Sequence, residues 1–206
     1  MTDDAPGIET FTLRERLRYL FGDHAVLRYR WHNFDEIAPG VFRSNQPTHG
    51  RLKDYRDRGI TTILSLRGAP RAVHHRIEAA DCARLGIDLR HTALYARKPA
   101  SRDDLMALFD HFDTLPRPFL MHCKSGADRV GLASALYLLD QEGASIDAAR
   151  AMLSFRYLHL RRTATGVLDH MFEQYAARLA KGPIPVRDWI AREYDPAALA
   201  ESWAAR

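Results

Sequence analysis

A cysteine and an arginine separated by five residues are the side chains with the clearest chemical use in this sequence. Cys123 follows a short apolar stretch at 119–122, and Arg129 precedes a longer one that begins at Val130. These stretches predict a strand and a helix joined by a loop, which points backbone N–H groups and the positive end of a helix dipole at one place. A phosphate dianion fits there. The same groups stabilise a thiolate, the nucleophile that in-line attack on phosphorus requires.

The spacing of the loop decides which anion it can hold. Five residues between Cys123 and Arg129 can surround a tetrahedral phosphate, whereas a sulfurtransferase-like loop would be shorter. The guanidinium can bind two phosphoryl oxygens at once and stabilise the charge of the transition state. We therefore predict Cys123 as the nucleophile and Arg129 as a second catalytic residue. The predicted phosphate-binding residues are Lys124, Ser125, Gly126, Ala127 and Val130, with His122 in a supporting role.

The sequence His122-Cys123-(five residues)-Arg129 resembles the signature of the protein-tyrosine and dual-specificity phosphatase superfamily. The resemblance implies a phosphomonoester hydrolase that forms a phosphocysteine intermediate and needs no metal or cofactor. Three patterns are similar to a bacterial branch of lipid and inositol phosphate phosphatases, some of which act on phosphatidylglycerophosphate. They are the Cys-x4-Asp-Arg form of the loop, the Arg-Ser-x-Gln-Pro stretch at 43–47 and the segment 159–166.

The general acid departs from the usual pattern of that superfamily. Most dual-specificity phosphatases have an aspartate on an upstream loop, but here the corresponding stretch, 91–98, contains no carboxylate. Asp128, directly before Arg129, is the replacement, and the resemblance to myotubularins and Sac-type phosphatases implies an acid role for it. The alternative is that Asp128 caps the helix or orients Arg129. Asp103 and Asp104 are weaker candidates, better suited to the first turn of a helix.

Three basic features bear on the substrate. Lys124 could reach beyond the phosphate that is cleaved, or be a lysine on the loop rim. The segment 11–34 mixes aromatic residues with arginines, so it could contact an anionic membrane surface or pack on the domain with its arginines outward. Residues 155–162 could flank the pocket or belong to core and rim. We predict a phospholipid or inositol phosphate substrate, with phosphatidylglycerophosphate as a candidate and a phosphoprotein as the alternative.

Two other functions stay open at this point. A non-catalytic phosphate-binding protein, or pseudophosphatase, is kept open by the missing upstream aspartate and by Val130, because the resemblance implies a Ser or Thr there that assists thiolate release. A histidine phosphatase is suggested by Arg90-His91, but the glycine that its motif requires is missing. The sequence has no Gly-x-Gly-x-x-Gly motif, Walker loop or Cys/His metal spacing. We therefore expect no cofactor, no metal and no nucleic-acid partner.

Composition and patterning indicate a single α/β domain. The chain has 206 residues, of which 46% are hydrophobic and 27% charged, and its net charge is +4. Strands alternate with helices, which predicts a mostly parallel sheet of four to five strands flanked by helices, followed by a helical C-terminal third. The predicted strands are 41–44, 60–66, 87–94 and 119–122, and the predicted helices are 10–21, 49–58, 72–85, 130–142, 145–154, 163–180 and 185–193, with another after Ser101.

The chain is divided into an N-terminal helical segment (1–36), a phosphatase domain (37–182) and a C-terminal helical tail packed on the domain (183–206). Its acidic start lacks the apolar core of a signal peptide. The longest apolar run, 130–139, has ten residues, about half of what a bilayer span needs. We therefore expect a cytoplasmic protein, with the inner face of the membrane as a place of peripheral contact. The sequence leaves the oligomeric state open.

Overall fold

The central sheet positions the rest of the protein. The computed structural model describes residues 11–68 and 71–206, and within them the sheet has five strands. They are β1 (Asp35–Ala38), β2 (Val41–Asn45), β3 (Thr62–Ser65), β4 (Asp88–His91) and β5 (Phe119–Cys123), in the spatial order β1-β2-β5-β3-β4. Strands β2 to β5 run parallel, and β1 pairs antiparallel with β2 at one edge. The predicted α/β fold with a mostly parallel sheet is confirmed.

Ten α-helices surround the sheet in the described part of the chain. They are α1 (Leu13–Leu17), α2 (Ala25–Arg28), α3 (His49–Asp57), α4 (Val73–Leu85), α5 (Arg102–Thr114), α6 (Asp128–Gln141), α7 (Ile146–Arg150), α8 (Val167–Leu179), α9 (Val186–Arg192) and α10 (Pro196–Ala204). A π-helical turn (Arg18–Gly22) continues α1, and two 3-10 turns (Phe155–Tyr157 and Ala164–Gly166) precede α8.

Strand β5 lies in the middle of the sheet, between two hydrophobic clusters. Alternate residues of a strand face opposite sides of the sheet. Phe119 and Met121 belong to the larger cluster, which includes buried residues of α5, α6, α8 and α9. Leu120 belongs to the smaller cluster, formed with α3 and α4. Residues 130–138 of α6 are all buried as well. The strand before the loop and the helix after it are therefore packed on every side, which fixes the loop between them.

Helix α6 begins two residues before the predicted start at Val130. Asp128 and Arg129 already have helical backbone, and the N-cap is Ala127, which offers no side-chain hydrogen bond. The sequence pattern marks only where the apolar residues of the helix begin. Both polar residues consequently stand in the first turn, where the N–H groups have no partner within the helix.

The edges of the sheet differ most from the prediction. The sequence pattern does not predict strand β1, because this strand has four residues, pairs on one side only and is irregular between Glu36 and Ala38. Strand β4 ends at His91, before the predicted end at 94. Beyond it only an isolated bridge joins Ala93 to Arg67.

Caps define the helices around the sheet. Thr12 caps α1 in a reciprocal capping box with Glu15. Ser101 caps α5 in the same way with Asp104. At the other end of the chain, buried residues of α9 and α10 join the larger cluster, so these helices pack on the sheet domain.

Candidate active site

The loop between β5 and α6 brings the predicted site residues together. Cys123 is the last residue of β5, where it pairs with Asn45 of β2, and it is 1% exposed. Arg129 lies in the first turn of α6 and is half-buried. Residues 124–127 connect the two. Among the described residues none accepts a hydrogen bond from the Arg129 guanidinium, so its donors are available to a ligand.

The loop turns at Gly126 in a way that only glycine permits. Its φ is +75°, in the left-handed region that side chains disfavour. A Cβ at this position would lie 2.7 Å from the backbone nitrogen of Asn45 and 2.8 Å from the Cβ of Asn33. The loop backbone therefore packs directly on neighbouring backbone, with no room for a side chain on its outer side.

The carbonyl groups of the loop are held on that outer side. Arg43 donates from Nη2 to the carbonyl oxygen of Gly126 over 2.8 Å. Asn33 donates from Nδ2 to the same oxygen over 2.8 Å and to that of Ser125 over 3.3 Å. None of the N–H groups of residues 124–127 donates to a carbonyl group in the described part of the chain. Because the peptide carbonyls point outward, these N–H groups are free to bind an anion on the inner side.

Arg43 is a buried cation beneath the loop. It is 0% exposed and lies with its guanidinium 3.6 Å from the centre of the Tyr157 ring. Burial lowers the pKa of Arg43 to about 10, so the side chain stays charged at neutral pH. Within the described residues it forms no salt bridge. Its Nη1 and Nη2 donate to backbone carbonyls, including that of Met152 at 2.9 Å, and its Nε has no partner there. Because no salt bridge within the described residues neutralises it, the charge of Arg43 favours the binding of an anion in the loop.

His122 contacts the far side of the sheet with Nε2, while its Nδ1 lies 3.4 Å from the carbonyl oxygen of Cys123. Its Nε2 lies 2.8 Å from Oε1 of Glu78, with both side chains buried, although the contact lacks hydrogen-bond geometry. The other carboxylate oxygen of Glu78 accepts a hydrogen bond from Gln46 over 3.1 Å. His122 is thus a buried polar residue behind the nucleophile, and its supporting role stays a prediction.

Asp128 is bound to a histidine that sequence reasoning does not assign. Nδ1 of His159 lies 2.8 Å from Oδ1 of Asp128, and Nε2 lies 2.7 Å from Oδ2 of Asp169. Burial of the imidazole opposes its charged form, but the hydrogen bonds to both carboxylates outweigh burial and raise the pKa of His159 to about 9. The side chain is therefore an imidazolium at neutral pH. Asp128 neither caps the helix nor hydrogen bonds to Arg129, the two structural roles considered for it.

A cavity of about 430 Å³ opens beside Asp128. It is lined on the polar side by Arg97 and threonines, and on the apolar side by Leu158 and Leu160, which are about half exposed. Phe155, 71% exposed, lies in the same segment. The cavity combines a cation, a carboxylate and exposed apolar surface, which suits an amphipathic leaving group.

The remaining predicted residues occupy different surroundings. Lys124 is 36% exposed along its side chain and lies 3.6 Å from a carboxylate oxygen of Asp23. Ser125 is half-buried. Ala127 and Val130 are buried, the latter in the larger cluster, so only their backbone N–H groups can face a phosphate. Asp103 and Asp104 lie in the first turn of α5, where Asp104 serves the capping box.

The residues that sequence reasoning misses are those that hold the loop from a distance. Asn33 contacts a carbonyl 93 residues away, and Arg43 one 83 residues away. Arg43 does lie in the Arg-Ser-x-Gln-Pro stretch, and His159 in the segment proposed to flank the pocket. Asn33 and Asp169 carry no comparable local signal, because their roles arise only when distant segments meet.

Comparison with known proteins settles the family. A model of the tyrosine phosphatase family matches residues 28–151, more than half of the chain, including all five strands and the whole of α6. The chain belongs to the tyrosine phosphatase family. It is a cysteine-based phosphatase, a hydrolase of phosphomonoesters. A comparison with curated protein sequences gives no match.

Two solved structures resemble this tyrosine phosphatase family member at low identity. TpbA of P. aeruginosa is 18% identical, with 84% of this chain and 91% of that chain covered and a TM-score of 0.52. The core catalytic domain of the PP-IP phosphatase SIW14 of S. cerevisiae is also 18% identical, with 73% and 93% covered and a TM-score of 0.52. At these identities the similarity is one of fold.

Residues 11–68 and 71–206 contain no group of three or more His, Cys, Asp or Glu side chains placed to hold a metal ion. In the same ranges no helix has the length and apolar character needed to cross a membrane.

Proposed function

We propose that the loop hydrolyses a phosphomonoester in two steps, with Cys123 as the nucleophile. The thiolate attacks phosphorus, the S–P bond forms, the bond to the leaving oxygen breaks, and Asp128 gives that oxygen a proton. Water then attacks the phosphocysteine, Asp128 takes a proton from the water, and the S–P bond breaks to release phosphate and the thiolate. Arg129 and the loop N–H groups stabilise the phosphoryl oxygens in both steps.

The orientation of the loop peptides is the observation that carries this proposal. Asn33 and Arg43 take the carbonyl oxygens of Ser125 and Gly126 on the outer side. Such fixed donors need no reorganisation when charge develops on the phosphoryl group, which is the main source of electrostatic catalysis. Buried Arg43 adds a positive charge behind them.

His159 supports the acid role of Asp128. Its imidazolium shares a proton with Asp128 over 2.8 Å, and Asp169 fixes the ring from the other side. In the first step the proton of the imidazolium passes by way of Asp128 to the leaving oxygen, so that His159 becomes neutral and Asp128 is again a carboxylate. In the second step the proton taken from water returns to His159 by the same route. The cavity of about 430 Å³ beside Asp128 is where the leaving group would lie.

The substrate we favour is a phospholipid or inositol phosphate, with phosphatidylglycerophosphate as a candidate. Exposed Phe155, Leu158 and Leu160 beside the cavity offer apolar contact at the edge of a membrane. Lys124 and Arg97 offer charge to a polyanionic headgroup. The similar SIW14 domain is a PP-IP phosphatase.

A phosphoprotein is the second candidate. TpbA, which shares the fold, has been solved in complex with pTyr, at 17% identity to this chain and a TM-score of 0.53. The side chains around the cavity leave room for a tyrosine ring as well as for a lipid glycerol. The leaving group, not the loop, distinguishes the two substrates.

The two cysteines provide a matched test of the nucleophile. Cys123→Ser should abolish hydrolysis of an aryl phosphate, and a phosphocysteine should be trapped on wild-type protein by rapid acid quench. Cys82→Ser is the control, because Cys82 is 1% exposed in the smaller cluster and burial raises the pKa of its thiol. Hydrolysis that survives Cys123→Ser would show that Cys123 is not the nucleophile. A wild-type protein that neither hydrolyses the ester nor forms a phosphocysteine would be the pseudophosphatase that Val130 left open.

A panel of substrates tests which class of leaving group the enzyme prefers. We would compare kcat/KM for phosphatidylglycerophosphate, phosphoinositides, soluble inositol phosphates and phosphotyrosine peptides. Preference for the lipids or inositol phosphates by about tenfold or more supports the favoured substrate, and preference for the peptides supports the second. Asp128→Asn should reduce kcat/KM for these poor leaving groups far more than for an aryl phosphate. Equal losses would contradict the acid role.

A further inference from the structure

Three cations surround one carboxylate beside the catalytic loop. Asp23, in the N-terminal segment, accepts hydrogen bonds from Arg67 over 2.7 and 3.0 Å and from Arg28 over 2.8 Å. Lys124 of the loop lies 3.6 Å away. Burial of the Asp23 carboxylate disfavours its charged form. Arg67 and Arg28 outweigh burial and hold the pKa of Asp23 well below its usual range. One negative charge thus faces three positive charges, so the cluster carries an excess of two.

The cluster has donors that no residue satisfies. Arg28 is 3% exposed, yet its Nε and Nη2 have no hydrogen-bond partner among the described residues. A buried guanidinium group that is only partly bonded is costly to maintain. A carboxylate offers two oxygens, whereas a phosphate offers three, so a phosphate in place of Asp23 could satisfy donors that Asp23 leaves free.

A cavity of about 680 Å³ leads to this cluster. Asp23 and His74 line it, and Arg18 and Arg71 stand at its rim with no ion-pair partner in the described part of the chain. Burial, followed by the charge of Arg67, lowers the pKa of His74 to about 4, so this histidine is neutral and does not compete for the anion.

We propose that Arg28, Arg67 and Lys124 form a second anion subsite, occupied here by the Asp23 carboxylate, that takes a second phosphate group of the same substrate. Lys124 directly follows Cys123, and their Cα atoms are about 3.8 Å apart. The Lys124 side chain therefore connects the catalytic loop to the second subsite, so one substrate can reach both. The subsite rests on the proposed function, because it requires the first phosphate to lie in the Cys123 loop. Asp23 then acts as an internal competitor that a polyphosphorylated substrate displaces.

Inhibition of aryl phosphate hydrolysis tests the subsite. The probes are inorganic phosphate, which needs only the catalytic loop, and inositol trisphosphate, which can fill both subsites. The two inhibition constants are measured for wild type, Asp23→Asn and Arg71→Ala. Asp188→Asn and Arg192→Ala are matched controls, since they make the same charge changes at an exposed ion pair on α9. Thermal unfolding of each variant shows that it is folded.

We expect inositol trisphosphate to inhibit wild type at least about tenfold more tightly than inorganic phosphate. Asp23→Asn should tighten inositol trisphosphate by about tenfold, equivalent to 1.4 kcal/mol, and Arg71→Ala should weaken it severalfold. Neither variant should change the constant for inorganic phosphate, and the controls should change nothing. If Asp23→Asn does not fold, Arg71→Ala decides alone, because Arg71 does not contact Asp23. A ratio of constants unaffected by both variants would overturn the subsite.

A further arm identifies the source of the second phosphate. Phosphatidylcholine vesicles with and without phosphatidylinositol bisphosphate are compared with the soluble inositol phosphate in the same assay. Inhibition that depends on Asp23 and Arg71 only with vesicles assigns a lipid headgroup, and the same dependence with the soluble compound assigns a free phosphate ester. If wild type hydrolyses no phosphate ester, the proposed function fails; calorimetric binding of inositol trisphosphate to the same variants then still tests the subsite.

Discussion

Arg43 donates a hydrogen bond to the carbonyl oxygen of Gly126 over 2.8 Å, at a position that solvent does not reach. The bond turns the peptide so that its carbonyl group faces the protein and the neighbouring N–H groups face the site. Arginine suits this place because its planar fork also reaches the carbonyl of Met152 at 2.9 Å.

Replacing Arg43 should therefore damage both stability and catalysis. Arg43→Met leaves the buried carbonyl of Met152 without its donor, at about 1–3 kcal/mol, and leaves that of Gly126 with the bond from Asn33. We expect the free energy of unfolding in urea to fall by about 3 kcal/mol and kcat/KM for an aryl phosphate to fall by about 100-fold or more. Arg90→Met, at an exposed ion pair with Asp88, is the control and should change little. Activity within threefold of wild type would show that the loop keeps its shape without Arg43.

Gly126 and Gly143 have similar backbone conformations but different surroundings. Replacing each by alanine separates the effect of close packing at the loop from the effect of backbone strain. Gly126→Ala adds a methyl group 2.7 Å from a backbone nitrogen, whereas Gly143→Ala, at φ +60°, meets nothing within 4 Å. Both substitutions place alanine in the left-handed region, which costs about 1 kcal/mol. We expect Gly143→Ala to lower the melting temperature slightly with normal kcat/KM, and Gly126→Ala to lose most activity. Equal effects of the two on activity would argue against close packing of the loop.

The proton shared by Asp128 and His159 should appear in the pH dependence of catalysis. With the pKa of His159 at about 9, activity on an alkyl phosphate should decline as pH rises through that value. Asp169→Asn removes a carboxylate that favours the imidazolium, so the decline should move about one pH unit lower or more. With an aryl phosphate, whose oxygen leaves without a proton, the shift should be absent. A loss that is equal for both substrates and independent of pH would mean that Asp169 only supports the fold.

The same histidine and two others should shape stability against pH. Burial is the main reason that the pKa of His74 and that of His75 are lowered to about 4 from 6.5. Below pH 6.5 the unfolded chain therefore binds protons that the folded protein does not, and stability falls as pH drops toward 4. His159 acts in the opposite sense: its contribution is complete below pH 6.5 and is lost as pH rises through about 9.

We therefore expect the free energy of unfolding to be greatest near pH 6.5, as measured by urea unfolding at a series of pH values. His75→Gln should flatten the acid side of this profile, and Asp169→Asn the alkaline side. A variant that lowers stability by the same amount at every pH would show that the replaced residue does not contribute through titration.

Sequence predicts the parts of the site that are local and misses those that are not. Cys123, Arg129 and the strand–loop–helix around them follow from one contiguous stretch, and the apolar runs predict four of the five strands. The partner of Asp128 lies 31 residues away, in a segment without regular periodicity. The short edge strand β1 pairs on one side only, so its pattern is too weak to detect. A hydrogen bond between residues far apart in the chain leaves no regular spacing in the sequence from which it could be predicted.

Asn33 sets a limit on how far the protein can be shortened. One amide nitrogen of this residue bonds to carbonyl groups of Ser125, Gly126 and Tyr157, at 3.3, 2.8 and 2.9 Å. It thereby holds together three stretches of chain that are far apart in the sequence. A protein trimmed to begin at β1 would keep its nucleophile, its arginine and its whole sheet. It would still lack the hydrogen bonds from Asn33 to the outer side of the loop. The smallest working enzyme therefore begins before the first strand.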